Sequence, residues 1–113
     1  MVHINDHFQG KEPEVETIYA QLLLALRQLG PVDEQPKKTS IHLVNRTGFA
    51  GVHTRQNCIN LEFKSESPIQ HPRIRKSQQI SANRYHLLVQ LQSAQDVDAQ
   101  LLTWLEQAYC LSS

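Results

Sequence analysis

Three groups of side chains in this chain are of types that do chemistry. The first is Glu62-Phe63-Lys64, which puts a carboxylate and an amine on one side of a strand-like run. That is half of a metal-dependent nuclease site, where the acid holds a magnesium ion and the lysine polarises water. The other half is missing, because residues 35–61 contain no Asp or Glu, and a lone alternating Glu-x-Lys is ordinary on a solvated strand. The second group is His42, His53 and His86, which with Glu62 could ligate zinc or move protons near neutral pH. They belong to no HxH or HExxH motif, so no spacing enforces their meeting. The third is a set of cations, Lys37, Lys38, Arg55, Arg73, Arg75 and Lys76, with Phe49 in their midst. Basic side chains contact phosphates, and an exposed aromatic stacks on a base.

Cys58 and Cys110 are far apart, without CxxC or metal-ligand spacing, and read as small buried hydrophobes. No glycine-rich phosphate loop is present, and neither Ser65 nor Ser67 sits in a nucleophile elbow. Catalytic residues, metal and cofactor are therefore assigned as none.

The cations gain weight from their distribution. Residues 1–35 hold six acids against two bases, residues 36–92 hold nine bases against Glu62 and Glu66, and residues 93–113 hold three acids and no base. The formal net charge of zero hides this segregation. Clustered like charge raises the local potential by several kT, which suits a basic middle to anionic partners. A dedicated nucleic-acid domain would be basic overall, so the anion reading rests on where the charge sits.

The elements that must position these residues follow from periodicity. Val15, Ile18, Tyr19, Leu22, Leu23, Leu26 and Leu29 recur at three- and four-residue intervals, which predicts a helix from Pro13 to the Gly30-Pro31 stop. Ser93, three residues before Asp96, predicts the start of a second helix whose stripe is Val97, Leu101, Trp104, Leu105 and Ala108, running to about Tyr109. Between them the period switches to two. Residues 39–45, 49–55 and 58–63 read as a three-stranded antiparallel meander, and residues 74–80 and 85–91 as two further strands after a loop over 66–72. The expectation is one α+β domain over residues 1–113, with its ordered core at about 12–111 and two layers: a five-stranded antiparallel sheet with both helices on one face.

Two helices about 10 Å wide cover about 20 Å, whereas five strands spaced about 4.8 Å apart need about 24 Å, so a second sheet face stays open. Alternation assigns Ile41, Leu43, Ile59, Leu61, Phe63, Tyr85, Leu87, Val89 and Leu91 to the covered face. His42, Cys58, Asn60, Glu62, His86, Leu88 and Gln90, together with Arg73 and Arg75, fall on the open one. The second strand allows two choices: either Ala50, Val52 and Thr54 point inward, or Phe49, Gly51, His53 and Arg55 do.

The functional expectation is a noncatalytic binding module whose basic open face or rim binds an anionic partner, nucleic acid or a phosphorylated ligand. Its ligand residues would be Lys37, Lys38, Phe49, His53, Arg55, Arg73, Arg75, Lys76 and His86. One alternative is a homodimerisation or protein-interaction module using the same face. Another is a hydrolase-type enzyme using His and Glu62. The segment Met1-Val2-His3-Ile4-Asn5-Asp6 lacks the pattern of a signal peptide, and no run of about eighteen apolar residues occurs, so a cytoplasmic protein without a membrane partner is expected.

A set of ordered motifs adds a family. Pro36-Lys37-Lys38-Thr39, Phe49-Ala50-Gly51-Val52-His53, Leu61-Glu62-Phe63, Pro72-Arg73-Ile74 and Gln79-Ile80-Ser81-Ala82-Asn83-Arg84-Tyr85-His86 come in that order, followed by Asp96-Val97-Asp98, Trp104-Leu105 and Ala108-Tyr109. Over about residues 12–111 the chain resembles the uncharacterised bacterial family catalogued as domain of unknown function 5655. The resemblance implies one compact domain, found alone or joined to others, and singles out the neighbourhood of Lys37-Lys38, Arg73 and His86. It implies no activity, cofactor or catalytic residue. Family members often carry further histidines directly after the Tyr85-His86 position, where this chain has Leu87-Leu88, and that departure weakens a histidine-cluster mechanism.

Overall fold

The apolar stripe that begins at Val15 becomes α1, Pro13–Leu26, in the computed structural model of the chain, which describes residues 3–112. Met1, Val2 and Ser113, which the single-domain expectation included, lie outside the described residues. Pro13 suits the first turn, where its missing N–H has no intrahelical role, and Val15, Ile18, Tyr19, Leu22, Leu23 and Leu26 are all buried. The helix stops a turn earlier than the Gly30 signal predicts. Gln28 N–H and Leu29 N–H donate to the carbonyls three residues back, at Ala25 and Leu26, which tightens the end into a turn. Gly30 then leaves it at a positive φ of 150°.

The second helix also differs at its start. Asp96 accepts from the backbone N–H groups of Gln92 and Ser93 at 2.8 and 3.2 Å, and this closes only a short 3-10 turn, Ala94–Asp96. Val97 then leaves helical geometry, and Asp98 caps α2, Ala99–Leu111, by accepting from Leu101 N–H at 3.0 Å. Two acids thus divide the work of one predicted cap.

Six strands, rather than five, form an antiparallel sheet. They are β1 (Asp33–Pro36), β2 (Ile41–Val44), β3 (Gly48–Thr54), β4 (Ile59–Ser65), β5 (Lys76–Ser81) and β6 (Arg84–Leu91), in the spatial order β1-β2-β3-β4-β6-β5. The unexpected strand is β1, whose Asp-Glu-Gln-Pro sequence carries no β signal of its own. Its ladder to β2 and the hydrogen bond from Tyr19 Oη to Glu34 Oε1 (2.7 Å) hold it. Burial and that bond push the Tyr19 phenol well above its ordinary pKa.

Both helices lie on one face. β4 alternates buried and half-buried positions along its length. Ile41, Leu43, Val52, Ile59, Leu61, Phe63, Leu87, Val89 and Leu91 meet α1 and α2 through Leu22, Leu26, Leu101, Leu105 and Ala108 in one core. The helices run in the same direction, since each N-terminus lies beside the other: Ala94 N–H donates to Glu14 Oε1 at 3.2 Å. They do not reach β5, where all six residues are exposed on both faces. Among the described residues no helix is long and apolar enough to cross a membrane.

Candidate ligand-binding face

The open face carries a hollow because β3 puts no side chain there for several residues. β3 enters with a bulge: Val44 pairs with Gly48 and Leu43 with Ala50, while pairing to β4 begins at Ala50, so Phe49 has no ladder partner on either side. An extra residue of this kind breaks the alternation. Phe49 therefore points into the core, only 1% exposed and edge-on to Tyr109 at 5.3 Å between ring centroids. This corrects the expectation of Phe49 as a stacking aromatic. Ala50, Val52 and Thr54 point inward, and Gly51 and His53 face out, by their pairing with Glu62 and Asn60. A Cβ at Gly51 would meet only His53 Nε2, at 3.9 Å. The result is a cavity of about 210 Å³ with Gly51 in its floor and His42, Glu62, Lys64 and His86 as walls.

One cation, Lys64, lines this hollow, and a second, Arg84, stands outside the lining and is felt by it through its charge. Lys64 lies directly across from His86, and Arg84, two residues before His86, shares its face at a diagonal that long side chains span. Lys64 Nζ donates to Ser112 Oγ at 2.9 Å and to Thr47 Oγ1 at 3.3 Å. Burial first, and the Arg84 charge second, lower the Lys64 pKa below the ordinary lysine value. Among the described residues neither Lys64 nor Arg84 pairs with a carboxylate. Among the described residues Arg84 Nη1 is shut off from solvent and meets no acceptor. Glu62, the one acid in the wall, faces His86 instead, with Oε1 3.5 Å from Nδ1.

A second basic feature follows the upper margin of the same face, the edge formed by the β1–β2 and β3–β4 turns and the last residues of β6. Lys37 and Lys38 are exposed in the first turn and Arg55 in the second. Arg75 N–H donates to Leu88 C=O at 2.7 Å and its guanidinium to Gln90 Oε1 at 2.7 Å, both on this side. Lys76 pairs with Leu88 and shares its face. Counted across the strands, the span is about 20 Å. Among the described residues none of these five cations forms an ion pair.

Arg73 is the exception, and the expectation for it is corrected. It lies on the helix side, where Nη1 donates to Asp98 at 2.9 and 3.2 Å and to Gln100 Oε1 at 3.2 Å, and Nη2 donates to Asp96 C=O at 2.8 Å. Its guanidinium carbon lies 6.0 Å from the Trp104 ring centroid. Every one of these contacts docks the 66–75 loop onto the start of α2, so Arg73 shares no site with Arg75 or His86. Asp98 responds in kind: partial burial would raise its pKa, but Leu101 N–H and Arg73 overcome that and hold it below the usual carboxylate value.

A family model described as a domain of unknown function (DUF5655) matches residues 4–112. The chain belongs to that family. The search of curated proteins and the search of solved structures find no match. DUF5655 membership brings no reaction with it.

The hollow brings His42, Glu62 and His86 together and leaves His53 one row higher. Among the described residues no three His, Cys, Asp or Glu side chains are placed to share a metal ion, and the residues lining the hollow include no Ser, Thr or Cys to serve as a nucleophile. Cys58 is buried beside Gln90, whose Nε2 lies 3.5 Å from its Sγ. The residues that sequence reasoning passed over are Arg84, placed in a turn, and Lys64, dismissed with Glu62 as a solvated pair. Alternation back from His86 and Glu62 puts both on the open face. The place of Lys64 beside His86 comes from the β4–β6 pairing, and no local pattern encodes it.

Proposed function

We propose that this domain is a noncatalytic binding module that holds nucleic acid by its phosphates along the upper margin of the open sheet face. The observation that carries this reading is that, among the described residues, Lys37, Lys38, Arg55, Arg75 and Lys76 share that margin without one ion pair, whereas Arg73, on the other layer, is fully engaged. With Phe49 inside the core, no aromatic stands ready to stack, so binding is through phosphates and tolerant of sequence. The homodimer reading keeps Leu88, half-buried on the open face, but Val52 and Phe49 are buried in the core. The hydrolase reading keeps an imidazole–carboxylate pair, His86 with Glu62, which would act on water as the nucleophile.

Salt titration tests the proposal. Five phosphate contacts give a slope of log affinity on log salt of about −3.5 for single strands and about −4.5 for duplex. Replacing Lys37 and Lys38 by Ala should lower the single-strand slope by about 1.4. A slope near zero, or no binding at low salt, rejects the reading.

A further inference from the structure

We propose that the hollow over Gly51 is a pocket for one unstacked guanine base of a single strand, read at its donor edge by the Glu62 carboxylate. The inference rests on the nucleic-acid reading of the margin and gives that reading a base preference. Three observations converge there. Pairing sets His42, Gly51, Glu62 and Leu88 in one row across the open face, so the position without a side chain lies between an imidazole and a carboxylate. A Cβ at Gly51 would meet nothing nearer than His53 Nε2, at 3.9 Å, which leaves a peptide floor on which a flat ring can lie. Glu62 Oε1 stands 3.5 Å from His86 Nδ1, and among the described residues no hydrogen bond occupies its other oxygen, so the carboxylate is oriented and still has acceptor sites to offer.

Chemistry and size select the ligand. An ionised carboxylate only accepts hydrogen bonds, and it repels phosphate, while Lys64, the one cation of the lining, is turned to Thr47 and Ser112. The hollow therefore suits an uncharged ring with donors rather than the backbone that the margin holds. Two adjacent donors on one edge meet both oxygens of a carboxylate, and guanine has them at its N1–H and 2-amino groups. Adenine and cytosine set their amine beside an acceptor, and thymine and uracil carry one N–H between two carbonyls. The cavity, at about 210 Å³, is smaller than the about 300–1,000 Å³ of sites for drug-sized molecules, which fits a base with its sugar left outside. The approach from the margin is short: Lys76 pairs with Leu88, which pairs with Glu62, so a margin cation lies two strand spacings, about 10 Å, from the carboxylate. A phosphate reaches the edge of its own base over such a distance. A duplex keeps that edge paired, so the pocket takes single strands.

Fluorescence anisotropy at low salt with a thymine decamer, and with the same decamer carrying one central guanine, tests this. The wild-type chain should bind the guanine strand about tenfold more tightly, the scale of one bidentate base contact. Hypoxanthine in place of guanine, which lacks the 2-amino group, should lose most of that gain. Glu62→Gln presents one acceptor where two are needed. Gly51→Val fills the floor, and its side chain enters open space on a strand that favours β-branched residues, so the variant should fold normally. Each should abolish the preference and leave the salt slope on the thymine strand unchanged. Lys37→Ala with Lys38→Ala should weaken both strands alike and keep their ratio. Equal affinity of the wild-type chain for the two strands, a preference for adenine or cytosine at that position, a gain that hypoxanthine keeps in full, or a guanine preference that survives Glu62→Gln or Gly51→Val overturns the pocket and leaves the margin standing. Amide NMR with guanosine monophosphate separates the converse case. Shifts at Gly51 and Glu62 without oligonucleotide binding at low salt support the pocket and overturn the margin alone, and no shifts with no binding overturn both.

Discussion

Phe49 and Gly51 lie two positions apart on β3 and shape opposite sides of the sheet, one filling the core under Tyr109 and the other opening the hollow. Asp98 shows how much a single side chain carries at the other layer, since it both caps α2 and holds Arg73. Its lowered pKa has a direct consequence for stability. A carboxylate whose folded pKa lies below its unfolded value, about 3.9, adds stability above that value and loses it as pH falls through the folded one. Asp98→Ala should therefore cost about 1 kcal/mol at neutral pH, mainly the lost cap. The ion pair adds little, because the Asp98 side chain is 47% exposed. In urea unfolding, the gap between wild type and variant should close as the pH drops below about 4; a gap that persists at pH 2 would show that the charge is not involved. At this scale the sequence was legible only where a residue obeyed its neighbours' alternation. His86 and Glu62 did, whereas His53 lies on the strand whose facing alternation left open. Phe49 did not, because the bulge that turns it depends on how β2 meets β3, and Arg73 did not, because its partners lie 23–27 residues away.

Elements were legible where burial imposes a period. α1, α2, β2, β3, β4 and β6 each carry buried residues at helical or alternating spacing, and each falls within a few residues of its expected place. β1 was illegible because its four residues are held by pairing and by Tyr19 rather than by their own propensities. The junction after α1 is more exacting than its Gly-Pro sequence suggests. Gly30 combines a positive φ with close packing: a Cβ there would sit 2.5 Å from Tyr109 Oη, the group that donates to Pro31 C=O at 2.9 Å. Gly30→Ala should destabilise by about 1–3 kcal/mol from backbone strain and the clash together. Tyr109→Phe alone should cost about 1 kcal/mol for the lost hydrogen bond. In a thermal-unfolding cycle the two changes should be less than additive, because the second removes the atom that the first strikes. Full additivity would mean that the strain lies in the backbone alone.

Over the whole molecule, two α-helices shield a sheet wider than themselves, and this mismatch decides where charge can stand free. On the helix side Asp96 and Asp98 accept from main-chain N–H groups at helix starts, while on the uncovered side, among the described residues, no Lys or Arg pairs with a carboxylate. The zero net charge therefore describes neither layer. The same mismatch leaves β5 overhanging, bonded along one edge to β6 and roofed by nothing. A strand in that position gives up only its ladder when it peels away, so it forms the least protected unit of the sheet. Deuterium should enter the amides of residues 76–81 well before those of β4, and a protease at limiting concentration should make its first cut there; uniform exchange across all six strands would refute this. Beyond the laboratory, a fraying border bounds the domain's tolerance of fusion: cargo joined through residues 82–83 would disturb a margin the core does not depend on, whereas an insertion between β3 and β4 would split the ladder that organises it.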